Sequence, residues 1–411
     1  MEYIFPKNFF WGASSSAHQV EGGLVNDWTE WEKDQANNLA KKGWSRASDW
    51  QKKFFSEIND PANYISGRAC DHYHLFDQDF ALAKRLGHNA TRISIAWERI
   101  EPQLGQFDEN ELDHYKEVVR SMRRNGLEPF VTLYHWPLPL WFRDMGGWEN
   151  KEAVKYFGQY VEKVVESLKH EVKYWIVINE PWVYSTLHYY QGDRPPAKKS
   201  VGKTWLVYNK LAEAHIAAYK KIKALDATVM VGSSKCMIWF EAKSNNWVNR
   251  LLKAGADWYV NTRWLDMIAN YQDFIGLNHY HHDRVDYGYT KNVNKKVNDL
   301  GWELYPESIY QVLMMLKRFN KPVFITENGL ADAVDSRREW YLRECLKFVH
   351  KAIGEGIDVR GYLHWSLMDN FEWDYGFWPR FGLVEIDYET LERRPRRSAW
   401  WYKEVCSRNG F

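Results

Sequence analysis

Short apolar runs rich in β-branched residues recur along the chain. Between them lie longer stretches in which apolar residues return every three or four positions. The first pattern reads as buried strands and the second as amphipathic helices, and their alternation marks βαβ units around a parallel sheet. Eight runs qualify, at residues 9–13, 91–96, 128–134, 172–179, 228–233, 273–278, 322–326 and 359–365. Helical spacing is clearest over 76–86, 109–125, 151–169 and 337–354. Eight such units within 411 residues predict an α/β fold, a single (β/α)8 TIM barrel whose site lies at the carboxyl ends of the strands. No internal repeat or low-complexity linker argues for a second domain, so residues 1–411 are read as one.

Two of the runs end on an acid. The fourth closes on Asn179-Glu180-Pro181, and the seventh on Glu327-Asn328-Gly329. Strand-end glutamates from separate parts of the chain can face each other only if their strands share one closed sheet. Two carboxyl groups flanking one bond is the arrangement that glycoside hydrolysis needs. Two polar stretches, about 33–67 after the first strand and 281–302 after the sixth, are expected to be long loops. Loops in those places either roof the mouth of a barrel or are plain surface insertions.

Composition narrows the partners. A formal net charge of +1 gives no summed field for nucleic acid or an acidic membrane. The one dense basic cluster, Arg393-Arg394-Pro395-Arg396-Arg397, reads as a solvated surface loop. Cys70, Cys236, Cys345 and Cys406 are scattered without metal-type or redox-type spacing and suit buried thiols in a reducing compartment. The start lacks a basic region followed by an apolar run, and no 18-residue apolar stretch occurs, so a cytoplasmic protein is expected. Most of the 23 tryptophans are expected in the core; those beside polar residues at strand ends suit stacking on the apolar face of a sugar.

The sequence resembles glycoside hydrolase family one, the β-glucosidases and β-galactosidases, nearly end to end, and most closely its short archaeal-type members. The likeness rests on Phe10-Trp11-Gly12-Ala13-Ser14, Gln19-Val20-Glu21-Gly22, Arg92-Ile93-Ser94-Ile95, Tyr134-His135-Trp136 and Asn179-Glu180-Pro181-Trp182. It continues through Ile275-Gly276-Leu277-Asn278-His279-Tyr280, Ile325-Thr326-Glu327-Asn328-Gly329, and the stretch from Trp365 to Trp373, and ends on Arg380-Phe381-Gly382-Leu383-Val384. A lone Asn-Glu-Pro says little. Both glutamate motifs in this order, with Gln19 upstream and Glu372-Trp373 downstream, are specific.

The resemblance implies roles. Glu327 would be the nucleophile, held ionised by Arg92 and Tyr280, and Glu180 the acid and then the base, its pKa raised by Glu327. Gln19, His135, Trp136, Asn179, Glu372 and Trp373 would hold the glycone, with Trp365 as its stacking floor, Asn278 in support and Phe381 at the substrate. It implies no cofactor and no metal. The histidines at 72, 74, 279, 281 and 282 invite a metal reading, but neighbouring strand residues point to opposite faces. Pro137 and His279 depart from the family pattern without touching the acid or the nucleophile. The partners implied are small β-glycosides or oligosaccharides. Three alternatives are a 6-phospho-β-glycosidase, a transglycosylase and a non-catalytic saccharide-binding barrel; the last is disfavoured by retention of Glu180, Glu327 and Arg92.

Overall fold

Phe10, Ala90, Phe130, Tyr174, Met230, Phe274, Phe324 and Leu363 meet in one apolar cluster. Each comes from a different strand of the computed structural model, which describes residues 2–290 and 296–411. The strands are β1 (Phe10–Ser14), β2 (Ala90–Ser94), β3 (Glu128–Tyr134), β4 (Tyr174–Asn179), β5 (Met230–Ala242), β6 (Phe274–Val285), β7 (Val323–Asn328) and β8 (Val359–Trp365). All are parallel to their neighbours, and β8 pairs with β1 while β5 pairs with β6, so the sheet closes on itself. This is the (β/α)8 barrel that the alternation predicts.

Side chains alternate across each strand, so residues two apart share the inward face. That period carries the interior from rings to polar groups. Phe130 stacks on Tyr174 at 4.5 Å at the amino end. Two residues further on, Arg92 Nε donates to Thr132 Oγ1 at 2.9 Å. Thr326 Oγ1 accepts from Ser234 Oγ at 3.0 Å and donates to Asn278 Oδ1 at 2.7 Å. An aromatic plug therefore closes the bottom of the barrel, and a hydrogen-bonded layer lies directly beneath the mouth.

Strand register slips near the carboxyl ends: between Ile176 and Asn179 on β4, between Leu277 and Asn278 on β6, and between Ile325 and Asn328 on β7. Such irregularities re-aim side chains. Here they fall just where both glutamates stand. Gly329 follows the second of them because a Cβ would lie 2.0 Å from the carbonyl oxygen of Trp365.

Three expectations need correction. The stretch 33–67 is not a loop: helices run over Asp27–Arg46 and Asp49–Phe54, with short turns after them. Asn26 Oδ1 accepts the Thr29 amide and Thr29 Oγ1 answers the Asn26 amide, a capping box that starts the first helix. Ala36, Leu39 and Ala40 then pack on Tyr64. The stretch 281–302 begins as strand, because β5 and β6 run on together past the rim, pairing Trp239 with His282 and Ala242 with Val285. Residues 291–295 of that stretch lie outside the described residues. The basic cluster is only partly solvated. Residues Arg393–Pro395 pair with Val384–Ile386, Arg393 bonds buried Asp79 at 2.9 Å, and Arg396 grips buried Asp369 at 2.8 Å. Arg394 and Arg397 do stay exposed. All four cysteines are free and buried.

Candidate active site

A cavity of about 340 Å³ opens at the carboxyl ends of the strands. Its lining holds Glu180 and Glu327, and also Gln19, His135, Trp136, Asn179, Tyr280, Trp365, Glu372, Trp373 and Phe381. Arg92 and Asn278 are fully buried behind that lining, bonded to Glu327 and to Glu180 respectively. Every site residue expected from the sequence is therefore at this one place.

The two glutamates have unequal surroundings. Glu327 accepts from Arg92 Nη1 on one oxygen and from Tyr280 Oη at 2.8 Å on the other. Burial pushes Glu327 above the usual carboxylate value, while Arg92, Tyr280 and Asn278 oppose it. Among the described residues Glu180 has no cation in contact, and its Oε1 accepts only the Asn278 amide, at 2.8 Å. Burial first, and then the Glu327 charge, lift Glu180 to about 7. A contacting guanidinium favours the ionised form far more than a neutral amide does. Of the pair, Glu327 gives up its proton first.

Arg92 does more than hold Glu327. Its Nη2 donates to Asn179 Oδ1 at 2.7 Å, and Asn278 Nδ2 donates to the same oxygen at 3.1 Å. That fixes the Asn179 amide, so its Nδ2 faces His135 Nε2 at 3.1 Å. His135 is held well below its ordinary pKa by burial and by Arg92, so it is neutral and accepts there. Its proton then sits on Nδ1, which is buried and without a partner. His135 thus keeps an unpartnered ring N–H, and the Asn179 amide a second hydrogen, in side chains that line the cavity.

The remaining lining is anchored in the same way. Gln19 Nε2 donates to Phe371 O at 2.8 Å and to Asn370 Oδ1 at 3.0 Å, tying the turn after β1 to the loop after β8. Trp136 Nε1 donates to Asn179 O at 3.1 Å. Trp365 packs with Phe381 and Ala331, its ring at the cavity wall. Burial drives Glu372 up to about 8, opposed by Arg194 and reinforced by the Glu327 and Asp374 charges. Glu180, Trp136 and Trp373 all have positive φ, at 47°, 88° and 51°. Non-glycine residues pay for that conformation with strain of about 1–3 kcal/mol each, and such residues gather at functional sites.

Sequence reasoning assigned no role to several lining residues. Trp182 follows the Asn-Glu-Pro motif; Trp302 comes from the stretch after β6, which therefore does help to shape the mouth. Arg194 carries no motif at all. Lys235 lies fully buried within β5, near Glu180 but outside the lining. The stretch 33–67 instead borders a second cavity of about 200 Å³, together with Asp374 and Tyr375 of the loop that bears Glu372.

Comparison with known proteins agrees with this geometry. The family model described as Glycosyl hydrolase family 1 matches residues 1–269 and 250–411. Beta-glucosidase A of Acetivibrio thermocellus is 31% identical over 463 aligned positions, covering 99% of each chain. A solved beta-glycosidase from Pyrococcus horikoshii superposes with a TM-score of 0.89 at 35% identity, over 100% of this chain and 96% of its own. A beta-glucosidase from Thermotoga maritima, solved in complex with glucoimidazole, gives 0.87 at 28% identity over 100% of both chains.

Proposed function

The chain belongs to glycosyl hydrolase family 1, and from that premise we propose that it is a retaining, exo-acting β-glycosidase of the β-glucosidase/β-galactosidase type that hydrolyses unphosphorylated β-glycosides. The observation that carries the reading is the asymmetry of the two glutamates: Glu327 bound by Arg92 and Tyr280, Glu180 by an amide alone.

That asymmetry assigns the steps. Ionised Glu327 attacks the anomeric carbon, forming a glycosyl ester as the bond to the leaving oxygen breaks, and protonated Glu180 gives its proton to that oxygen. Esterification removes the Glu327 charge, so the pKa of Glu180 falls and it is left as a carboxylate. It then takes a proton from water, which attacks the anomeric carbon and frees Glu327. An acceptor hydroxyl in place of that water gives transglycosylation. Asn179 is placed to bond the 2-hydroxyl, an interaction that strengthens in the transition state. Gln19, His135, Trp136, Glu372 and Trp373 read the rim of the sugar and Trp365 covers its face. Phe381 borders the same end. The closed barrel floor and a cavity of about 340 Å³ favour cleavage of one terminal sugar at a time.

Residues 1–411 serve as one catalytic domain. Four buried, unpaired thiols support a reducing, cytoplasmic setting. Among the described residues no helix is long and apolar enough to cross a membrane.

Retention follows from a covalent intermediate, because two displacements at one carbon restore its configuration. Proton NMR of the first-formed product is expected to show the β-anomer, and an initial α-anomer would overturn the mechanism.

Selectivity against phosphate is expected as well. A dianion at the sugar 6-position would approach Glu372, and Pro379 and Phe381 offer it neither a cation nor a hydroxyl. Arg380 lies over the Tyr388 ring at 4.6 Å and is outside the cavity lining, and Arg194, which does line the cavity, already has its charge paired with Asp374. Two like charges about 4 Å apart repel by roughly 4 kcal/mol at an effective dielectric near 20. Above about pH 8, where Glu372 is ionised, the preference for the unphosphorylated nitrophenyl glycoside is expected to be at least about a hundredfold in kcat/KM. It should narrow as pH falls through that value. Comparable efficiency on the 6-phosphate would sink the assignment.

A further inference from the structure

Arg194 belongs to none of the motifs that mark the site. It follows the irregular helix Thr186–Gln191, lines the cavity, and is only 6% exposed. One edge of its guanidinium is taken, since Nε and Nη2 both reach Asp374 Oδ1 at 2.7 Å. The guanidinium lies 5.0 Å from the Trp136 ring and 5.8 Å from that of Trp28, contacts that fix where it sits. Nη1 is left over: buried, and without an acceptor among the described residues.

Glu372 carries the complementary gap. It lines the same cavity, and its buried Oε2 has no donor among the described residues. Buried polar groups left open are costly unless a ligand completes them. A hydroxyl is the simplest group that completes both at once, accepting from an N–H and donating to a carboxyl oxygen. Asp374 cancels the Arg194 charge, so the pair suits a neutral hydroxyl better than an anion.

We propose that Arg194 is a substrate-binding residue, whose Nη1 donates to the glycone hydroxyls farthest from the anomeric carbon, those on carbons 4 and 6, where Glu372 accepts. The proposal rests on the β-glycosidase reading, which places the anomeric carbon between Glu180 and Glu327 and Glu372 at the opposite rim.

The test uses whichever nitrophenyl β-glycoside the enzyme cleaves best, glucoside or galactoside, with its 2-deoxy and 4,6-dideoxy forms. Arg194→Gln is expected to lose about thirtyfold or more in kcat/KM on the parent and the 2-deoxy substrate, the scale of a charge-assisted hydrogen bond, and less than about threefold on the 4,6-dideoxy substrate. Ratios between substrates on one preparation do not depend on the fraction correctly folded. Arg194→Lys, which keeps the cation over the indoles, is expected to show the same pattern with a smaller loss. Equal losses on all three substrates in either variant would make Arg194 merely structural and overturn the proposal. Wild-type enzyme that cleaves no β-glycoside would instead overturn the reading beneath it.

Discussion

Glu327→Ala is expected to lower kcat/KM by about five orders of magnitude or more, on good and poor leaving groups alike. Attack at the anomeric carbon is the step that removal of this carboxylate abolishes, and no leaving-group chemistry replaces it. Nothing nearby takes over. Glu180 directly follows β4 and is committed to the leaving oxygen, while Tyr280 is held well above its ordinary pKa by burial and by Glu327 and stays a phenol. The variant also strands Arg92, which is fully buried and keeps only Asn179 and Thr132 as partners. An uncompensated buried charge destabilises by about 3–5 kcal/mol. Glu327→Gln is therefore the control: its amide oxygen still accepts from Arg92, yet it cannot act as the nucleophile. Steady-state kinetics with dinitrophenyl and alkyl glycosides on both variants, alongside thermal melts, separates chemistry from folding. A folded Glu327→Gln enzyme within about a hundredfold of wild type would remove Glu327 from the nucleophile's place.

The glutamates were legible in the sequence because a strand that ends in an acid presents it at the mouth, and one local pattern carries the whole statement. Strand lengths were less legible. β5 continues from Ser233 through Lys235, and β6 from Asn278 through His279 to Arg284, so polar residues interrupt the apolar runs that mark strands. These segments are held as strand by pairing with each other above the rim, which no local pattern reports. The helix Asp27–Arg46 was hidden for the opposite reason. Its lysines and asparagines give it a loop-like composition, and only a few small or apolar residues face Tyr64. Arg393 and Arg396 looked like surface charge because Asp79 and Asp369, which bury them, lie far away in the chain. Arg194 was invisible on the same ground: its meaning depends on Asp374 and on the faces of Trp28 and Trp136. Contacts between distant segments are what a single sequence leaves out.

Glu180→Ala should divide substrates by leaving group. Loss of a general acid costs about a hundredfold to ten-thousandfold where the leaving oxygen needs a proton. A dinitrophenolate leaves without one, so its kcat/KM should fall by less than about tenfold. Turnover of that substrate should instead stall at the glycosyl-enzyme, because water then lacks its base. Azide, which needs no base, is expected to raise kcat and to give the β-glycosyl azide. The pH profile follows from the same proton. Glu180 must enter the first step protonated, and with a pKa of about 7 it is protonated below that pH and ionised above it. Wild-type kcat/KM on a poor leaving group should therefore fall on the basic side from near pH 7. The acidic limb marks protonation of Glu327, and both limbs belong to the coupled pair. Glu180→Gln carries no titrating proton there and should lose the basic limb while keeping the acidic one. Equal losses on alkyl and dinitrophenyl glycosides in Glu180→Ala, or a basic limb that survives in Glu180→Gln, would give the proton to another residue. Lys235 is the nearest alternative: it is fully buried near Glu180, and burial lowers it to about 8. Its Nζ donates to the Cys236 carbonyl and stands 5.8 Å from the Trp182 ring, outside the cavity lining. An ammonium so placed has no path to a glycosidic oxygen, and Glu372, the lining carboxyl raised to about 8, reads the far rim of the sugar, which leaves Glu180 as the group whose removal must erase the limb.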